Sequence, residues 1–495
     1  MPGNETTRAA PPARLPAAAG WRQLPCTLAL AGVIVAGFLL PYGHDAQRLL
    51  ELAFLLLFGA GQLAAALAGR AGAWRGGAVR GWLAAFFVLG AISAARAFSP
   101  GHAAYEVGSL LLLLLLACRV GGEILRDGAR HLLWVLRLCA AGCAAYAGKV
   151  LLVWAFALLA GVAPAVEELA PGFSNYRFLN HAQTISLPLL ALLIALERPG
   201  GKARALWIAV AGFWWALLIV FGARGSVLGL AAGALCAGLL RRGQAGAVCR
   251  ALFLSALLGA AIYALLFVAL PALRGLAPFG VFTLVAERTG GDNPTSGRGV
   301  LWRAALAMLE AQPWLGAGPL HFAHYAGSAH FSAHPHSWAL QIAAEWGVPA
   351  LLCLCAAIGL AMLRLLQTAA RIASGDARNQ AMLAAWIVGA VAILVDGLFS
   401  GLIVMPVSQL LLALYLGCAL GWAGAMAPAG AARPRRASPA ASLLAAALLA
   451  AALAALLYAP RTGIVQLIAA GQIDSGSVPP PGNTQHPRLW RDGYF

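Results

Sequence analysis

Residues 205–221 read ALWIAVAGFWWALLIVF, residues 222–226 read GARGS, and a second apolar run, 227–240, follows at once. The first run is apolar on every helical face, so it has no core-facing stripe of the kind that marks a helix of a soluble domain. In helical geometry it covers about 25 Å, close to the ~30 Å hydrocarbon core of a bilayer. Both runs read as membrane spans, and Arg224 stands at the turn between them with almost no loop around it.

The pattern continues in both directions. Hydrophobic residues make up 61% of the 495 and charged residues 10%, against roughly 45–50% and about 25% in soluble domains. Spans are expected near 24–42, 49–69, 81–98, 103–118, 132–158, 181–196, 205–221, 225–240, 251–272, 336–363, 380–403, 406–425 and 440–459. Those at 103–118 and 181–196 are short for a bilayer and are expected to begin inside the protein. The first span is expected to be a retained anchor, because no basic segment leads directly into a cleavable apolar stretch. All nine cysteines lie within or at the ends of spans, which argues against a disulfide framework.

The net charge of +17 follows topology. With the N-terminus in the cytoplasm, alternate connections carry Arg70, Arg75 and Arg80; Arg119, Arg126 and Arg130; Arg198, Lys202 and Arg204; Arg241, Arg242 and Arg250; Arg364, Arg371 and Arg378; and Arg433, Arg435 and Arg436. Every cytoplasmic connection holds three, as the positive-inside rule requires, and no nucleic-acid partner is implied. The expected fold class is an all-α polytopic membrane bundle of about 12–13 transmembrane helices with a large, partly helical periplasmic loop. Segment 1–22 is a cytoplasmic tail, 23–459 the membrane domain with its loop at 273–335, and 460–495 a periplasmic tail.

Three outward stretches depart from the Ala/Leu background: 161–181, the turn at Arg224, and 273–336. The last is too long for an ordinary connection and holds Trp302, Trp314, Phe322, Tyr325 and Phe331. A helix is expected over Val300 to Glu310, stopped by Gln312 and Pro313. Arg177, Arg224, Arg288, Arg298 and Arg303 fall in these stretches, where the topology rule does not account for them. A guanidinium grips phosphate through two parallel hydrogen bonds and stays charged when partly buried, so several together suit a diphosphate lipid head group. Each alone also suits an interfacial side chain or a partner of Glu287, Asp292 or Glu310. Arg224, lodged between two spans, favours function, as does Arg298, just before a helix start.

Five of ten histidines lie between 321 and 336. With no HExxH, no cysteine partner and no definite carboxylate ligand, no metal site is expected. In His334-Pro335-His336-Ser337, the proline imposes an extended backbone just before a long apolar helix, which holds His336 at the outer membrane edge. An imidazole there suits proton exchange with a hydroxyl, or a plain helix cap. Glu345, nine residues on, lies about 180° round that helix and cannot orient His336. With Gln341 it is expected to tie the span to a neighbour. Asp396 is a further carboxylate within a span, read as structural with a proton pathway as the minority role.

The runs Ser296-Gly297-Arg298-x-x-x-Trp302-Arg303, Gln312-Pro313-Trp314-Leu315-Gly316-Ala317-Gly318 and His336-Ser337-x-x-Leu340-Gln341-x-x-x-Glu345-x-Gly347 resemble the large loop and following helix of the O-antigen ligase and polymerase superfamily, which includes bacterial protein O-oligosaccharyltransferases. Ala223-Arg224-Gly225 is similar to that family's Ser-Arg-Gly, and the segment from Gly172 to Thr184 to its Asn-x-Arg-Phe region. Ser337 and Ala223 depart from the family's usual Asn and Ser. The resemblance implies a ligase-like core at 172–363 and a metal-independent, inverting glycosyltransferase of the bacterial inner membrane with no cofactor. It would move a glycan from a polyprenyl (undecaprenyl) diphosphate carrier to an acceptor hydroxyl on the periplasmic side.

The implied catalytic residues are His336, Arg298 and Arg224. Arg177, Arg303, Trp302, Asn180 and His334 are the implied substrate-binding residues. The partners are the lipid-linked donor, the bilayer, and an acceptor that is lipid A core, pilin or another glycan chain. The Asn-x-Arg-Phe-like segment tilts the reading towards a ligase or protein oligosaccharyltransferase over a polymerase. The absence of a large C-terminal periplasmic domain disfavours the longer protein-glycosylating members. A transporter or lipid flippase would favour broken helices with polar groups at mid-membrane, whereas a non-catalytic assembly component would leave the arginines dispensable.

Overall fold

The computed structural model describes residues 25–41, 43–70, 77–241, 245–280, 297–326, 332–427 and 438–461. Residues 1–22 and 462–495, with Arg288, Ser296 and His330, lie outside them. Among the described residues there is no strand. The helices are α1 Cys26–Leu39, α2 His44–Leu67, α3 Gly77–Arg96, α4 Pro100–Leu159, α5 Tyr176–Leu196, α6 Lys202–Val220, α7 Arg224–Arg241 and α8 Gly246–Ile262, the last running on through a π-helical turn, Tyr263–Ala269. Then come α9 Arg298–Ala311, α10 Trp338–Trp346, α11 Val348–Ala369, α12 Ala377–Gly397, α13 Pro406–Ala425 and α14 Pro439–Tyr458. Ten helices among the described residues are long and apolar enough to cross a membrane, and α1 and α7 are shorter apolar helices. The protein is an all-α, multi-pass membrane protein.

One expected boundary holds and one differs. The runs at 103–118 and 132–158 are the two halves of α4, which part at Gly128 with φ 74° and ψ −163°, within the connection expected between them. Unbroken, 60 residues would extend about 90 Å, three times the bilayer core. The single span expected at 336–363 is instead α10 and α11, parted at Gly347 with φ 88° and ψ 163°.

Contacts from the loop explain that break. The turn after α9 docks its backbone onto the end of α10: the Ala317 and Gly318 amides donate to the Ala344 and Glu345 carbonyls at 2.9 Å, and the Val348 amide donates to the Pro313 carbonyl at 2.9 Å. Carbonyls left over at a helix end are thereby satisfied. A Cβ on Gly347 would lie 2.3 Å from the Trp314 carbonyl oxygen, and one on Gly316 2.3 Å from the Glu345 carbonyl carbon, so both positions exclude a side chain. The fully buried Glu345 accepts from the Phe322 amide at 2.8 Å; it anchors the loop, where the sequence points to a neighbouring span.

Helix α7 packs on α12, and α5 on both. Gly229 and Gly233 face α12 so closely that added Cβ atoms would stand 2.7 Å from the Ala392 carbonyl oxygen and 2.4 Å from that of Val388. Small residues in such a stripe let two membrane helices meet at their backbones, and that contact sets the height of Arg224 against Asp396. Gly233→Val is expected to lower stability by about 1–3 kcal/mol through overpacking. Gly238→Ala, with nothing within 4 Å of the added Cβ, should hold or raise it. Thermal unfolding in detergent compares the two.

Candidate active site

One end of the bundle gathers the starts of three helices. Arg224 is the first residue of α7, Arg298 the first of α9, and Arg177 the second of α5. Local sequence fixes each start. Asn175 caps α5 by accepting from the Arg177 amide at 2.9 Å. Gly222, φ 59°, turns the chain out of α6, and Gly297, φ 80°, precedes α9. Each helix start adds partial positive charge from its unpaired amides.

The three guanidiniums line one cavity of about 240 Å³ together with Asn180, His181 and Asp396, and Phe221, Leu228 and Phe399 supply apolar walls. Arg177 and Arg298 are partly buried, whereas Arg224 is exposed. The ion pairs among the described residues involve none of the three. Burial lowers the proton affinity of Arg298, as do its neighbours Arg177 and Arg224, and Asp396 partly offsets them. The Arg298 Nε is buried with no hydrogen-bond partner. Mutually repelling, donor-rich cations around a void are suited to a multiply charged anion.

Asp396, at the end of α12, reads as structural from the sequence alone, and nothing there singles out His181. Both line the cavity. The Asp396 carboxylate accepts from the Thr184 hydroxyl at 3.0 Å and lies 3.8 Å from His181 Nδ1. A Cβ on Gly225 would come within 2.6 Å of its other oxygen, so α5 and the start of α7 enclose it. The signal is present in the sequence, since an ionisable residue within a span is a functional hypothesis by default; what it lacks there is a partner.

His336 stands beside the cavity and is absent from its lining. It adopts φ 54°, a left-handed conformation uncommon outside glycine, though histidine is enriched among the exceptions. Its Nε2 lies 3.3 Å from the Ser332 hydroxyl, which also donates to the His334 carbonyl at 2.9 Å. The ring of His334, itself buried, rests 4.2 Å from that of His336, centroid to centroid. Behind it Gly401 leaves room that a Cβ would fill, 2.2 Å from His334 Nε2. Burial, Arg298, His181 and Arg177 push the His336 pKa down to about 3.

His336 is therefore a neutral imidazole near neutral pH. An unfolded chain takes up this proton at about 6.5, so stability should fall as pH drops from that value towards 3. The slope of the unfolding temperature over this window is expected to be shallower in His336→Asn.

The remaining residues singled out in the sequence lie elsewhere. Trp302 donates to the Pro335 carbonyl at 3.1 Å, behind His336. Arg303, five residues from Arg298 on α9 and so about 140° round the helix, is exposed and outside the cavity lining. His321 accepts from the Ser99 amide at 2.9 Å, and His324 stacks on Phe98. Among the described residues no group of three or more His, Cys, Asp or Glu side chains is arranged to hold a metal.

No curated protein matches the chain. Residues 206–355 match the family described as O-antigen ligase. That stretch holds Arg224, Arg298 and His336, while Arg177 and Asp396 reach the cavity from outside it. Within a multi-pass membrane protein, the chain thus carries a stretch similar to the O-antigen ligase family, and that stretch supports a likeness to the O-antigen ligase-like superfamily.

Proposed function

We propose that the protein is an inverting glycosyltransferase that moves a glycan from a polyprenyl diphosphate carrier to an acceptor hydroxyl at the periplasmic face of the inner membrane. One observation carries the reading: three guanidiniums at three helix starts face one cavity in which, among the described residues, Asp396 is the single lining carboxylate. A diphosphate supplies the charge that this arrangement lacks. The apolar walls Phe221, Leu228 and Phe399 suit the first carbons of a lipid, and the basic connections counted in the sequence support a cytoplasmic orientation for the opposite end of the bundle.

In this reading Arg224 and Arg298 hold the diphosphate and offset the charge that builds on it as the glycosidic bond breaks, with Arg177 as a further contact. Preorganised donors aimed at developing charge are the strongest such device in a water-poor site. The acceptor oxygen attacks the anomeric carbon from the side opposite the diphosphate, so the configuration inverts, and its proton passes to His336. Burial is the larger cause of the low His336 basicity, and a bound anion relieves the part that comes from the field of Arg298 and Arg177. Asp396 offsets part of the repulsion among the arginines until the anion arrives.

Proteoliposomes holding the purified protein and a polyprenyl-diphosphate-linked glycan test the reading, with lipid A core, pilin and free glycan each offered as acceptor. Transfer to lipid A core marks a ligase, to pilin a protein oligosaccharyltransferase, and to glycan a polymerase. Movement of intact donor across the bilayer without transfer to any acceptor would contradict the proposal in favour of a lipid flippase.

A further inference from the structure

We infer that Trp302 is a positioning residue for His336: its indole N–H, bound to the Pro335 carbonyl, fixes the backbone that aims the imidazole at the site. The inference rests on the proposed role of His336 and Arg298 in transfer. A non-glycine residue at φ 54° keeps that conformation only where its surroundings over-determine it, and three restraints meet here. Trp302 Nε1 holds the peptide just before His336 at 3.1 Å. Ser332 bridges the His334 carbonyl and His336 Nε2. On the far side Trp338 Nε1, two residues beyond, donates to the Leu394 carbonyl of α12 at 3.2 Å.

The tryptophan also ties this histidine to the anion site. Arg298 and Trp302 are four residues apart on α9, and so share a helix face one turn apart. The indole ring leans on Phe399, 6.4 Å between centroids, a residue of the cavity wall. One rigid helical turn thereby spaces the cation that meets the diphosphate from the group that meets the acceptor. The indole N–H is already engaged by the protein, so hydrogen bonding to a sugar is not its task.

Trp302→Phe keeps an aromatic ring and removes the N–H. The expected result is a fall in kcat on the order of 10²-fold, the scale of a ~1 Å misplacement, with the donor KM within about threefold of wild type. In donor-free protein, diethyl pyrocarbonate should modify His336, followed by mass spectrometry, several-fold faster than in wild type or in Arg303→Ala. Trp302→His restores a ring N–H at similar reach and is expected to recover part of the rate and of the protection.

If Trp302→Phe retains both wild-type kcat and the wild-type modification rate of His336, the inference is overturned and Trp302 is a stacking surface or simple packing. It is equally overturned if the Phe and His variants behave alike. Were wild type to transfer no glycan, the functional proposal would fall while the modification rates still decide whether Trp302 holds His336.

Discussion

Arg298→Lys is expected to slow glycan transfer on the order of 10²–10³-fold in a protein that still folds. The substitution keeps the formal charge, so the loss must come from what lysine lacks. A guanidinium offers two parallel N–H groups to a phosphate, whereas an ammonium is a point donor. Position 298 is also a poor place for a weaker base, because burial and the nearby Arg177 and Arg224 already disfavour protonation there. An arginine withstands that field with an intrinsic pKa above about 12, while a lysine starts near 10.4 and sheds its proton more readily. Arg298→Gln removes the repulsion that this position has with Arg177 and Arg224, so its unfolding temperature should not fall even though transfer does. Transfer kinetics and thermal unfolding on the same preparations separate the two effects.

His336→Asn is expected to lower kcat by about 10²–10⁴-fold, the usual span for a general base, with donor binding retained. Asparagine is the informative replacement because it tolerates the left-handed backbone that His336 occupies. His336→Ala would add backbone strain to the loss of the imidazole and blur the result. A variant that binds donor like wild type but fails to transfer assigns the histidine to the acceptor step; one that also loses donor binding assigns it to the anion site.

Much of this arrangement is legible in the sequence, and the rest is hidden for physical reasons. Arg224 declares itself because a charge between two apolar runs with no loop has few structural excuses, and Arg298 because glycines frame a helix start. Hydropathy gives the membrane helices and the break in α4 at Gly128, but not the break at Gly347. A run of Ala and Leu looks the same straight or kinked, and the break at Gly347 depends on the Trp314 carbonyl pressed against it from another part of the chain. The Thr184–Asp396 contact joins residues 212 apart, so the partner that turns Asp396 from an isolated carboxylate into part of the site cannot be read from spacing. Arg303 and Trp302 show the opposite case. Both sit beside Arg298 in sequence, yet helical geometry sends Arg303 away from the cavity and puts the Trp302 N–H on the backbone behind His336.

The most direct test of the central claim, that the arginine cavity holds a diphosphate-linked lipid, is binding of a polyprenyl diphosphate to the purified protein, followed by native mass spectrometry. Wild type and His336→Asn should both retain the lipid, whereas Arg224→Ala/Arg298→Ala should lose it, and a polyprenyl alcohol of the same length should bind to neither protein in this way. Equal retention of the diphosphate by wild type and the double arginine variant would contradict the account.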